Sequence, residues 1–321
     1  MAITGITIIV LCHFHLGLAS KFKNINFFLK RFTNINFFFN SLISFNKQLH
    51  QRRRLQALPN SLSFSYTESV KKNTPYDILY CDDSLVAVSK RSGLLVAQDR
   101  YDATAPRLDL ELENEFGRLF ALHRIDKDTS GVVVYARTPE AHRAVSLQFQ
   151  NRQVEKIYHA LINGRPAWKN HHEEARLLPD GDAFHRTVVH KRQGKPSVTD
   201  FTVLAICPPY TWIEARPITG RTHQIRAHLW ENGLSIVCDP LYGGNQKPVR
   251  LSEIKRSWRG DPFEERPLLD RLGLHAYQLT LCHPETQENI TFTAPYPRDM
   301  DAVRKQLAKI HGQDPLAPQA L

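Results

Sequence analysis

Apolar and polar positions alternate in short runs over most of the chain after residue 74, and few of the runs reach helical length. Residues 78–81 and 85–90 are brief apolar stretches on either side of Asp82-Asp83-Ser84, the pattern of a β-hairpin. Residues 108–116 have a helical pattern with Gly117 as a stop. The β-branched run 132–136 predicts a buried strand. Thr138 then stands as a helix cap, Pro139 occupies the first helical position, and Ala141, Ala144, Val145 and Phe149 share one face.

Residues 156–162 predict a strand with Tyr158, Ala160 and Ile162 on one face, ending at the turn signal Asn163-Gly164. Further strands are predicted at 198–205, 210–216, 274–281 and 289–294. A helix capped by Thr222 is expected to run to Glu231 and stop at Asn232-Gly233. Strands outnumber helices and no regular βαβ alternation occurs, so the predicted class is α+β around a largely antiparallel sheet. No Pro/Gly-rich linker divides residues 74–310, which predicts one domain over that span and a short tail at 311–321.

Residues 1–67 follow a different pattern. An apolar run at 3–18 is followed by Lys23-Asn24-Ile25-Asn26-Phe27-Phe28 and its near copy Thr33-Asn34-Ile35-Asn36-Phe37-Phe38, a low-complexity bias without amphipathic design. This leader is expected to be disordered. It reads as an organelle-targeting extension, a secretory signal, or sequence upstream of the true start. It also changes the meaning of the charge. The formal net charge is +10, but the leader holds eight Lys and Arg and no acid, leaving 34 basic against 32 acidic residues in the remainder. Net charge therefore does not mark the body as a nucleic-acid binder, and any such surface must come from local clustering.

Cys12, Cys81, Cys207, Cys238 and Cys282 are far apart and form no C-x-x-C pair. They predict reduced, mostly buried thiols, with no zinc site and no disulfide framework. The chemistry concentrates instead in His123-Arg124-Ile125-Asp126-Lys127-Asp128-Thr129-Ser130-Gly131, a polar, Gly-terminated stretch between two apolar runs. Such a stretch is a loop displayed by sheet elements. On its own, its Asp126 is open to several roles: nucleophile, general base, metal ligand or turn-former.

The segment resembles the H-R-L-D-x-x-T-S-G signature of the RluA-type pseudouridine synthases, with Ile125 in place of Leu. The resemblance extends through Lys156-Ile157-Tyr158, Gly194-Lys195-Pro196 and Arg221-Thr222-His223-Gln224-Ile225-Arg226-Ala227-His228, preceded by Pro217-Ile218-Thr219-Gly220. It continues through Asp239-Pro240-Leu241-Tyr242-Gly243 and Leu274-His275-Ala276, in the family's order over about residues 76–296. Two departures are visible. Lys90-Arg91-Ser92-Gly93 stands for K-P-x-G, and Cys238 stands where G-D-x-x-Y-G has its first Gly.

The resemblance implies the pseudouridine synthase fold and isomerisation of specific uridines in structured ribosomal or transfer RNA. It implies no cofactor, no metal, no membrane association and no obligatory protein partner. Cytoplasmic location follows, or an organelle if the leader is a transit segment. It makes Asp126 the nucleophile, attacking sugar or base, Tyr158 the group that stacks on uracil and helps remove the C5 proton, and Arg221 the partner of the Asp126 carboxylate through two charge-assisted hydrogen bonds. Arg124 is expected to fill the stack vacated by a flipped uridine. His123, Thr129, His223, Gln224, Arg226 and Leu274 are expected to bind RNA or support the uridine pocket. Other classes fit less well: a kinase loop would need H-R-D followed by Asn, with a Gly-rich loop and D-F-G. The adjacent acids Asp126 and Asp128 do not establish the separation a glycosidase needs.

Overall fold

A computed structural model describes residues 74–98, 104–244 and 247–317, all within one compact unit. The expected leader over 1–67 and the last four residues of the expected tail lie outside the described residues.

The chain begins as the expected hairpin, β1 (Tyr76–Cys81) and β2 (Leu85–Lys90). Its turn is set by Asp82, whose Oδ1 accepts the backbone N–H groups of Ser84 at 2.8 Å and Leu85 at 2.7 Å. Helix α1 (Leu108–Phe116) and the two-residue β3 (Phe120–Ala121) lead to β4 (Ser130–Ala136). Every residue of β4 is buried. Val132, Val134 and Ala136 pack with Ala141 and Val145 of α2 (Pro139–Gln150), whereas Val133 and Tyr135 pack with Leu108 and Leu112 of α1. A strand covered on both faces needs a continuous apolar run, which is the pattern of this stretch. Thr138 caps α2 as predicted, its hydroxyl accepting the Ala141 N–H at 3.1 Å.

The rest of the chain supplies β5 (Glu155–Asn163), β6 (Asn170–Leu178), β7 (Val188–Val189), β8 (Lys195–Cys207) and β9 (Tyr210–Pro217). Helices α3 (Gln224–Glu231) and α4 (Leu251–Ile254), strands β10 (Leu274–Cys282) and β11 (Asn289–Thr293), and helix α5 (Arg298–His311) complete it. The strands form one sheet in the order β1-β2-β4-β10-β5-β9-β8-β6-β7, with β3 also beside β4 and β11 also beside β10. The predicted α+β class around a largely antiparallel sheet is what is observed. Among the described residues no helix is long and apolar enough to cross a membrane.

Sequence pattern missed β6, β7, α5 and the four-residue α4. β6, Asn-His-His-Glu-Glu-Ala-Arg-Leu-Leu, is a strand because its backbone pairs with β8 from Asn170 to Leu177, not because of its side chains. α5 carries Met300, Val303 and Leu307 at helical spacing into a core cluster with Trp212 and Leu161. β7 is too short to leave a pattern. Two expectations are corrected. Helix α3 starts at Gln224 after His223, which sits in the left-handed region at φ 51°, so Thr222 is not its cap. Of the four described cysteines, all free, only Cys207 is buried.

The junction of β4 and β10 organises the sheet. The pair is parallel and lasts two residues, Ser130 opposite His275 and Gly131 opposite Ala276, before β4 turns to β3 and β10 to β11. At this crossing a Cβ on Gly131 would lie 2.1 Å from the Ala276 carbonyl oxygen, and its φ is 116°, so both space and conformation demand glycine. Behind it, the buried His275 donates from Nε2 to the Ala294 carbonyl at 3.1 Å, leaving Nδ1 to accept the Ser130 hydroxyl at 2.9 Å. Burial holds this imidazole neutral, with its pKa pushed down to about 4. Gly131→Ala is expected to destabilise the fold by more than about 3 kcal/mol, read as a lower urea midpoint, because backbone rather than a flexible side chain must move.

Candidate active site

The segment between Leu122 and Ser130 is held at both edges and along its backbone. His123 points inward: its Nε2 accepts the Val134 N–H at 3.0 Å and its ring stacks on Phe149 at 5.3 Å between centroids. Burial drives its pKa down to about 3, so it is a neutral ring that ties the start of the loop to β4. Arg124 is exposed, Ile125 returns to the core, and Asp126 emerges half-buried. The Asp126 carbonyl accepts the Thr129 N–H at 3.1 Å, closing a tight turn.

The segment Lys90-Arg91-Ser92-Gly93 clamps that turn. The Lys127 carbonyl accepts both the Gly93 N–H at 2.9 Å and the Lys90 ammonium at 2.8 Å, and the Asp128 carbonyl accepts the Ser92 hydroxyl at 2.7 Å. Lys90 is 1% exposed, and burial pulls its pKa down to about 7, against the opposing pull of Asp128 and Asp126. Arg91, where the family pattern has Pro, does not remove any of these bonds.

The Asp126 carboxylate meets α3. Its Oδ2 lies 3.3 Å from Arg226 Nη1 and 4.0 Å from His223 Nε2. Arg226 is itself fixed by Asp239, Nε to Oδ2 at 2.8 Å and Nη2 to Oδ1 at 2.7 Å, with side chains 3% and 0% exposed. Asp239 Oδ1 also accepts the N–H groups of Leu241 and Tyr242. The Tyr242 ring then lies under the Arg226 guanidinium at 5.0 Å. The Tyr242 hydroxyl donates to the Thr187 carbonyl, accepts the Thr187 N–H and lies 3.3 Å from His223 Nδ1. Burial lowers the His223 pKa, with Asp126 pulling the other way.

Tyr158 projects from β5 between two apolar clusters, beside Ile125 and Ala276 on one side and Ile225 and Ile213 on the other. Burial and then the nearby charge of Asp126 raise its phenol pKa, so Tyr158 is within electrostatic reach of that carboxylate. Lys156 on the same strand face donates to the Thr219 carbonyl at 3.1 Å, and burial lowers its pKa to about 8.

The expected Arg221–Asp126 pair does not form. Arg221 Nε reaches the Pro196 carbonyl at 3.3 Å, and Arg226, five residues later in the same motif, takes the carboxylate. Arg221 precedes the helix, whereas Arg226 lies in its first turns, and the sequence alone could not rank two arginines so close together. Thr129, Gln224 and Leu274 are buried. Gln224 accepts from Thr219 Oγ1 and donates to the Val198 carbonyl and Thr199 Oγ1, pinning the start of α3 to β8. The Thr129 hydroxyl is buried without a hydrogen-bond partner. Asp239 and Lys90 had no assigned role in the sequence, although both fall in matched segments.

A mostly antiparallel sheet thus presents an Asp on a clamped loop against a helix-borne Arg and a strand Tyr. The RNA pseudouridylate synthase family matches residues 84–231. The chain is 33% identical over 227 residues to the dual-specificity RNA pseudouridine synthase RluA of Pasteurella multocida, covering 69% of this chain and 94% of that one. Ribosomal large subunit pseudouridine synthase C of Vibrio vulnificus is 34% identical, with 72% and 69% covered. The corresponding synthase D of Neisseria meningitidis is 35% identical, with 70% of this chain covered, and the chain spans 59% of that relative's length. Among solved structures, Human RNA Pseudouridylate Synthase Domain Containing 4 is similar with a TM-score of 0.55 and 26% identity, over 72% of this chain and 92% of that one. The chain belongs to the RNA pseudouridylate synthase family.

The lowered Lys90 pKa has a consequence for stability. Between about pH 7 and the ordinary lysine range, the unfolded state binds a proton at this site that the folded state does not, so stability from this group rises with pH across that window. Chemical denaturation of wild type and Lys90→Met at pH 7 and pH 9.5 is expected to show wild type gaining on the variant at the higher pH; a constant difference would contradict the lowered pKa of Lys90.

Proposed function

We propose that the chain is an RNA uridine isomerase in which Asp126 is the nucleophile, converting uridine to pseudouridine. The observation that carries this reading is the Asp126 carboxylate, set 3.3 Å from a guanidinium that is itself locked by the buried Asp239. A carboxylate nucleophile must stay ionised while water is excluded, and a fixed cation beside it favours that charged form. The reaction breaks the N1–C1′ bond and forms C5–C1′; the C5 proton leaves and N1 gains one. Tyr158, half-buried and close enough to feel the charge of Asp126, stacks on the uracil and assists C5 proton removal.

Arg124, exposed two residues before the nucleophile, enters the space left when the target uridine flips out of a helix. Unmodified ribosomal RNA is the first substrate to test, because relatives of this chain are named for the large ribosomal subunit. Transfer RNA is the second.

Purified protein is expected to release tritium from RNA transcribed with uridine labelled at C5. Asp126→Asn should lose about a thousandfold or more of that rate while RNA binding survives; release persisting in this variant would refute the nucleophile. Arg226→Lys should lower kcat about a hundredfold, because a point charge cannot keep both the Asp239 fork and the Asp126 contact. Arg221→Ala should change kcat less than about fivefold, and the reverse ranking would return the role to Arg221. Arg124→Ala should slow turnover on structured RNA more than on an unpaired strand, and equal effects on the two would remove the base-flipping role.

A further inference from the structure

A second feature lies beside the site and is not used by the chemistry. The loop 179–187 between β6 and β7 is tightly organised: Asp182 Oδ1 accepts the N–H groups of Phe184 and Arg186, both at 3.0 Å, and the Gly181 N–H donates to the Arg186 carbonyl at 2.8 Å. Yet this ordered loop holds the Phe184 ring 69% exposed. Next to it, the Arg186 guanidinium lies 5.1 Å from the Phe184 ring and 4.5 Å from the ring of Trp230 on α3, and Asp182 Oδ2 fixes its Nε at 2.7 Å. Trp230 is 36% exposed.

This group is joined to the nucleophile by direct contacts. Trp230 meets the Tyr242 ring edge-on at 6.1 Å, Tyr242 lies under Arg226, and Arg226 reaches Asp126. Thr187, at the end of the loop, is bonded through its backbone to the Tyr242 hydroxyl. The loop is thus registered to the same tyrosine that supports the catalytic arginine.

We propose that Phe184, Arg186 and Trp230 form a stacking platform for an unpaired nucleobase of the RNA strand close to the target uridine, a reading that rests on the RNA isomerase function above. A planar cation between two exposed aromatic rings presents faces that any base can stack on, without reading sequence. Charge favours a nucleic acid over an apolar partner. Lys191 and Arg192 are exposed in the turn after β7, and Lys195 opens β8 opposite Leu177, the β6 residue that also pairs with Val189. These cations stand where a strand passing over the platform would carry its phosphates. The function is to hold a flanking nucleotide unstacked, so that the strand stays open while the target base occupies the pocket.

The test uses the full chain and a fragment of unmodified large-subunit ribosomal RNA on which the wild type releases tritium, with 2-aminopurine placed in turn at unpaired positions around the target. Wild type and Phe184→Tyr are expected to quench the fluorescence at one such position on binding. Phe184→Leu, which keeps apolar bulk but has no ring, should abolish that quenching and weaken binding about tenfold. Phe263→Ala, at a ring 98% exposed elsewhere on the surface, should leave both readouts unchanged. Wild-type quenching and affinity in Phe184→Leu, or a loss that Phe184→Tyr does not restore, would overturn the platform while tritium release leaves the synthase reading intact. No tritium release by the wild type on any ribosomal or transfer RNA would overturn both.

Discussion

The buried pair of Arg226 and Asp239 is the constraint on which the site depends. Removing both charges from water is costly, and the pair persists because its geometry is bidentate and Asp239 also accepts two backbone N–H groups. The result is a guanidinium with little freedom, one edge committed inward and Nη1 left facing Asp126. The Tyr242 ring beneath it and the Thr187 backbone behind that ring extend the rigid unit to the edge of the sheet. An arginine held this way presents charge to a carboxylate without reorganising during reaction, which is how electrostatic preorganisation acts.

The Asp126 side of the site is built with different materials. Asp126 stands on a turn whose backbone carbonyls are tied by Lys90, Ser92 and Gly93, and whose end is fixed by the crossing of β4 and β10. Gly131 permits that crossing, and the neutral His275 fastens Ser130 from behind. The Asp126 loop is thus registered to the sheet by backbone bonds, whereas the helix side is registered by side-chain charge. Two independently anchored supports fix the Asp126–Arg226 separation more firmly than either would alone.

Several residues that look chemical serve the frame. His123 is held neutral by burial and accepts a strand N–H, Gln224 binds the start of α3 to β8, and Lys156 ties β5 to the turn before that helix. Cys238, in place of a family glycine, adopts a left-handed φ of 56°, a conformation glycine reaches without steric penalty and cysteine does not. The chain accepts that local strain immediately before Asp239 and still forms the ion pair.

The sequence by itself determined the class of fold, the hairpin at β1 and β2, the buried β4, the cap of α2 and the loop that carries Asp126. Each of these is written in local terms: periodicity, turn chemistry, or a motif of fixed spacing. It also put Tyr158 on the correct face of β5, because strand alternation is a local rule. Tertiary structure alone decided which arginine meets Asp126. Arg221 and Arg226 share one motif and the same charge, and only the start of α3 at Gln224 and the burial of Asp239 separate them. Nor could local pattern find β6, whose polar residues become a strand through backbone pairing with β8, or reveal that Lys90 is buried under the turn that carries Asp126. Those facts depend on contacts between distant segments, and no periodicity within one segment encodes its partner.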